Sequence, residues 1–252
     1  MDQTKAPQEQ LSEGAAETSL AASADLALLC RLHDREPTPE LLLKLKATAP
    51  DQWFGLNLDG PDAQAGFSLL DDFFATVTPD NVEAVTEDLA VNYADLYLTF
   101  TQRIAPNESH WLTEDHLERQ QPMFEVREWY EHYGLKASDW RNRADDHLVH
   151  QLEFVAALLR HNQVTALIDA GKFMDRHLLV WSRMFLGGMA QKSESPFYAA
   201  LGLLTEAVLQ ATRDFIAAAT GAPRETFVPK LAAQAAEDDG CAPYVPGTGP
   251  GW

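Results

Sequence analysis

Asp146, His147, His150 and Glu153 form the densest group of side chains in the chain able to bind a metal ion or move a proton. Carboxylates and imidazoles together suit a zinc or iron site. His147 and Glu153 are six apart, which at about 100° per residue sets them roughly 120° from each other on a helix, a poor geometry for one ion. A second use is open to the same residues. Asp145 or Asp146 caps a helix, Glu153 is an exposed acid, and His147 fills a half-buried place between helices.

The other arrangements that would announce an enzyme are missing. A di-iron bundle needs Glu-x-x-His on two helices, and none of the eight histidines has a Glu three residues before it. There is no His-Glu-x-x-His, no Gly-x-Ser-x-Gly elbow, no Walker loop and no Gly-x-Gly-x-x-Gly fingerprint. Gly171-Lys172 is not followed by Ser or Thr. Tyr93, Leu96 and Tyr97 continue an inward-facing stripe and fit a core more readily than a contact. Arg103 to Trp111, with Pro106, Glu108, Ser109 and an apolar Trp111 in a polar run, suggests a site or a structured lid. His177 and Trp181, four apart, share one helix face as interhelical packing with a polar tip.

The elements that must carry these residues are helices. Leu148, Leu152, Val155 and Leu159 mark one face of a helix that begins beside Asp145-Asp146. Upstream, Leu20 to Leu32 is a first amphipathic helix. Thr38-Pro39 opens a second through Ala47, Asn57 to Gly66 is a loop, and Phe67 to Val77 is helical. Thr78-Pro79 starts the longest helical pattern of the first half, through Phe100. Pro122 opens another, ended by Gly134. Val164 to Met189 is helical with a break near Gly171, and Ser195-Pro196 caps a last helix reaching Ala219 before Gly221. No strand alternation, repeat or heptad run is present. The fold class is all-α: a disordered 1–18, a helical subdomain 19–140, a hinge 141–147 near Asp146-His147, a second helical subdomain 148–222, and a flexible acidic, Gly/Pro-rich tail 223–252.

Composition narrows the partners. With 38 acids against 19 bases the net charge is −19, which disfavours nucleic acid and favours a basic partner or simple solubility. Cys30 and Cys241 are too few for a zinc cluster or disulfide framework, consistent with a reducing cytoplasm. No basic, apolar leader and no run near the ~20 residues of a membrane span occurs, so no stable membrane association is expected.

Read in order, Tyr93-x-x-Leu96-Tyr97, Pro106-x-Glu108-Ser109, Met123-x-Glu125-Val126-x-x-x-Tyr130-x-x-x-Gly134-Leu135 and Asp146-His147-Leu148-x-x-x-Leu152-Glu153-Phe154 resemble the TorD/DmsD/NarJ family of redox-enzyme maturation chaperones. Phe173-x-x-x-His177-Leu178-Leu179-x-Trp181-x-x-x-Phe185 and Phe197-Tyr198-x-x-Leu201 extend the resemblance, which covers roughly Leu20 to Gly221. It implies a cytoplasmic protein that catalyses no reaction and needs no cofactor or metal. Its partner would be the apo catalytic subunit of a dimethyl-sulfoxide-reductase-type molybdoenzyme with its twin-arginine signal peptide, guarded until molybdenum cofactor insertion. Such chaperones are monomers or domain-swapped dimers. The resemblance marks Leu96, Tyr97, Pro106, Glu108, Ser109, Trp111, Asp146, His147 and Glu153 as client-binding candidates, with Asp146 pairing a signal arginine. Gln151 departs from the second acid common in relatives. The unmatched tail ending in Trp252 suggests a placeholder for a groove. The alternatives are a metal-dependent helical enzyme and a helical adaptor without a redox client.

Overall fold

The computed structural model describes residues 9–99, 102 and 104–227. Among these residues the regular structure is helical, with two isolated bridges, Gln10 to Gln163 and Asn107 to His147. The helices are α1 (Glu13–Asp34), α2 (Pro39–Lys46), α3 (Pro61–Thr76), α4 (Val82–Tyr97), α5 (Glu108–Leu112), α6 (Gln121–His132), α7 (Leu148–Leu159), α8 (Val164–Phe173), α9 (Leu179–Lys192) and α10 (Pro196–Thr220).

Local chemistry sets most of the boundaries. Thr38 Oγ1 accepts the Leu41 amide ahead of Pro39, and Ser12 Oγ accepts that of Ala15, so each helix starts with an otherwise orphaned donor satisfied. Gly134 and Gly221, at φ 68° and 69°, adopt the left-handed turn that follows α6 and α10. Helix α1 starts at Glu13 rather than Leu20, and residues 1–8 of the segment expected to be disordered lie outside the described residues.

Three boundaries differ from expectation. Pro61, preceded by Gly60, starts α3 inside the stretch expected to be a loop to Gly66. Thr78-Pro79 does not open α4: the Asn81 side chain accepts the Thr78 amide and donates to the Thr76 carbonyl, closing a turn that delays the helix to Val82. That helix stops at Tyr97, and at 16 residues it is shorter than the 22 of α1. Phe100 lies outside the described residues.

Helix α1 packs along α7, and α3 and α9 pack along α10. Small residues let the first pair approach. Ser19 and Ser23 donate to the Leu159 and Ala156 carbonyls at 2.7 and 2.8 Å, flanking the fully buried Ala22. Gly202 plays the same part between α9 and α10, since a Cβ there would stand 2.6 Å from the Leu186 carbonyl oxygen. The apolar residues of all the long helices join one continuous core, from Leu26 and Leu29 through Phe73 and Leu89 to Phe173, Trp181 and Val208.

Between α8 and α9 the helix widens into a π turn, Met174–Leu178, three residues after the expected break at Gly171. The turn puts Asp175 against Arg213 of α10, with carboxylate and guanidinium joined at 2.8 and 2.7 Å and both residues buried. The same pair holds the chain after α10. Arg213 donates to the Pro223 carbonyl and Asp175 accepts the Glu225 amide. Residues 228–252, including Trp252, lie outside the described residues.

Candidate functional site

The loop after α4 and the segment before α7 run side by side. The Glu108 amide donates to the Asp146 carbonyl at 3.1 Å, and the Leu148 amide to the Pro106 carbonyl at 2.8 Å. These backbone bonds bring the expected loop and hinge residues together. The loop is not irregular throughout, because Glu108–Leu112 forms the one-turn helix α5. Trp111 turns back on it and donates its indole N–H to the Ala105 carbonyl at 2.8 Å.

Asp146 does not cap α7. Its Oδ2 accepts the amide and the hydroxyl of Ser109, at 2.7 and 2.5 Å, and the residue is fully buried. Burial raises its pKa, and the Ser109 bonds oppose that rise. The cap falls instead to His147, whose Nδ1 accepts the Val149 amide at 3.1 Å. Burial, then the nearby Arg143, holds His147 far below the usual histidine value, as an accepting nitrogen requires. His147 is buried, at 6% exposure, rather than half-buried.

A second layer of polar residues lies behind Asp146. Gln151 donates to Glu108 Oε2 at 2.7 Å and to the Asp146 carbonyl at 3.2 Å, and its own carbonyl accepts the Trp181 indole N–H at 3.3 Å. Glu108 Oε1 lies 3.0 Å from His177 Nδ1 on the π turn. Burial pushes Glu108 up to about 7, against the pull of His177 and Gln151. Tyr130 of α6 closes the set, donating to the Asp145 carbonyl.

The candidate residues therefore divide. Leu96, Tyr97, Pro106, Glu108, Ser109, Asp146 and His147 are buried, Trp111 is half-buried, and Glu153 is open to solvent with 55% of its side chain exposed. Tyr97 belongs to an aromatic cluster, stacked on Tyr93 at 4.5 Å between ring centres. Exposed Glu153 lies against the buried His150, whose Nδ1 is 3.4 Å from Glu153 Oε2. Asp146, His147, His150 and Glu153 do not converge on one point. Among the described residues no group of three or more His, Cys, Asp or Glu side chains is arranged to hold a metal ion.

Beyond the candidates, sequence reasoning missed that Gln151 and His177 are tied to Glu108, and it gave no role to Arg143, which reaches Asp34 at 2.6 Å. Only the helix spacing of His177 and Trp181 hinted that they share a face.

The model of the family described as "Nitrate reductase delta subunit" matches residues 59–187. That span contains Glu108, Ser109, Asp146, Gln151, His177 and Trp181. Proteins described as "Chaperone protein TorD", from the Classical Ogawa and El Tor Inaba strains of Vibrio cholerae serotype O1, are each 29% identical over 131 residues. The alignment takes in 49% of this chain and 60% of each relative. The chain thus spans about 60% of the length of these curated relatives. No helix of the described residues is long and apolar enough to cross a membrane.

Proposed function

The chain belongs to the nitrate reductase delta subunit family, and from that membership we propose that it is a maturation chaperone for a molybdenum oxidoreductase of the dimethyl-sulfoxide-reductase type. It catalyses no reaction in this reading. It binds the apo catalytic subunit in the cytoplasm, together with that subunit's twin-arginine signal peptide, and keeps it from export until the molybdenum cofactor is in place. The cofactor is the client's, and the chaperone has none of its own.

The observation that carries the reading is the match over residues 59–187, which takes in the paired 106–109 and 146–148 segments and the buried polar layer behind them. The chemistry of that layer supports it. Both oxygens of Glu108 are engaged, by Gln151 and His177, and Asp146 Oδ2 is engaged by Ser109, so these buried carboxylates tie segments of the fold together. A net charge of −19 favours encounter with a basic segment. The division into helical parts 19–140 and 148–222 hinged at 141–147, and any domain-swapped dimer built on it, belong to the same proposal.

Co-expression tests the function. A molybdoenzyme of the host should gain active, cofactor-loaded enzyme when this chain is present and lose it when the gene is deleted. Equal loading with and without the chain overturns the proposal.

A further inference from the structure

A hollow of 490 Å³ is lined by one face of α6, by Asp169 of α8 and by the π turn. Glu125, Glu128, Trp129 and His132 follow the spacing of three, one and three that sets side chains on one side of a helix. Trp129 is half-buried, edge-on to Phe173 at 5.8 Å between ring centres. The charges of the hollow do not balance. Asp169 already accepts the Tyr133 hydroxyl and lies 3.5 Å from Lys172, and Arg176 is paired with Glu225. Glu125 accepts only the neutral Gln121 amide, at 3.3 Å, and Glu128 has no cation against it among the described residues. Two carboxylates one turn apart repel, and a cation set between them removes that cost.

The chain itself enters this hollow. After α10 it is fastened at three points to the π turn and to Arg213. Arg213 donates to the Pro223 carbonyl at 2.8 Å, the Glu225 amide donates to Asp175 at 2.7 Å, and Arg176 pairs with the Glu225 carboxylate at 2.8 Å. Phe227, two residues on and 41% exposed, is one of the residues lining the hollow. The sequence continues Val228-Pro229-Lys230-Leu231, and Lys230 is the only lysine or arginine between Glu225 and Trp252.

We propose that Val228 to Leu231 fill the hollow, with the Lys230 ammonium between Glu125 and Glu128 and with Val228 and Leu231 covering Trp129. Three residues span at most about 10 Å, so Lys230 is confined to the neighbourhood of the hollow where Phe227 already stands. Pro229 biases Val228 toward extended backbone, which carries the chain onward from Phe227 rather than coiling it back. Charge selects this segment, because the only other charged residues before Trp252 are Glu237, Asp238 and Asp239, which the two glutamates repel. The π turn, joined to Glu108 through His177, thus also carries a strap over its own hollow, and the strap closes the Trp129 face to other molecules. The inference stands apart from the chaperone reading and does not use it.

Zero-length carbodiimide coupling of the full chain, as an equal mixture of natural and isotope-labelled protein, tests this by mass spectrometry of the peptides. Lys230 should be joined to Glu125 or Glu128 within one chain, with no mixed-isotope pairs. Mixed pairs put the lysine of a second copy in the hollow and overturn the proposal, as does coupling of Lys230 only to acids elsewhere. Amide exchange gives a second check on the same protein. Glu128→Gln and Lys230→Gln should each lower the protection of the Val228 and Leu231 amides about two- to fivefold, and the double variant no further than either alone. Effects that multiply in the double variant, or no effect in any, overturn the strap. Glu128 is exposed, so an unchanged melting temperature is expected and excludes misfolding as the cause.

Discussion

Glu108 Oε1 lies 3.0 Å from His177 Nδ1, tying the helix turn after α4 to the π turn 69 residues later. Through Gln151 the same carboxylate is tied to α7, so one buried acid joins three parts of the chain. Its pKa, pushed up to about 7 from 4.5, gives stability a definite slope. The folded protein holds the proton more tightly than the unfolded chain, so the contribution of Glu108 is full below pH 4.5 and is lost as pH rises toward 7. His147 acts in the opposite sense, losing stability as pH falls through its unfolded value near 6.5. Denaturant titrations of native and Glu108→Gln proteins at a series of pH values isolate the first effect. The stability difference, native minus variant, should fall by up to about 3 kcal/mol between pH 4.5 and 7. A flat difference contradicts the assignment.

Asp146 and Glu153 should respond differently to substitution. Asp146→Ala strands the Ser109 amide and hydroxyl in the interior and should cost about 2–3 kcal/mol in unfolding free energy. Glu153→Gln, at an exposed position, should stay within about 0.5 kcal/mol of native stability. Urea unfolding of the two variants decides whether Asp146 is first a structural residue. Equal stability for both would return it to the role of a free contact.

The Asp175–Arg213 pair is enclosed on all sides, so removing one partner leaves a buried charge. Asp175→Asn should cost about 3–5 kcal/mol, whereas Asp175→Leu with Arg213→Met should cost clearly less. Thermal unfolding of the single and double variants checks the order. The single variant should also free residues 223–225 from α10, seen as faster amide exchange at Glu225.

Gly202→Ala pushes a methyl group to within 2.6 Å of the Leu186 carbonyl, a backbone atom that cannot turn aside. The α9–α10 contact must open, at an expected cost of about 1–3 kcal/mol by urea unfolding. Gly187→Ala, on α9 with nothing within 4 Å, is the control and should be neutral or slightly stabilising.

The helices were legible because their ends are written locally. Thr38-Pro39, Gly134 and Gly221 each state a start or a stop within a few residues, and Ser195-Pro196 marks the start of α10 although the Ser195 hydroxyl makes no cap bond to it. The buried polar layer was not legible, for the opposite reason. Ser109 meets Asp146 across 37 residues and Gln151 meets Glu108 across 43, and no periodicity records such pairings. That is also why the helix cap was misassigned. An aspartate before an apolar face is the better cap by type, but its carboxylate is taken by Ser109, leaving His147 for the Val149 amide. The π turn was legible only as a break near Gly171, since Met174–Leu178 holds no residue that breaks helices and the turn's Asp175 pairs with Arg213, 38 residues away.

The central claim is that a molybdoenzyme subunit is the client, and capture from the host tests it most directly. The tagged native chain and its Glu153→Gln variant are drawn from the host's cytoplasmic extract, and the bound proteins are identified by mass spectrometry. A catalytic subunit of a molybdopterin oxidoreductase should come down with the native chain and be depleted with the variant. If no such subunit accompanies either chain while other proteins do, the protein is a helical adaptor of another kind and the chaperone account fails.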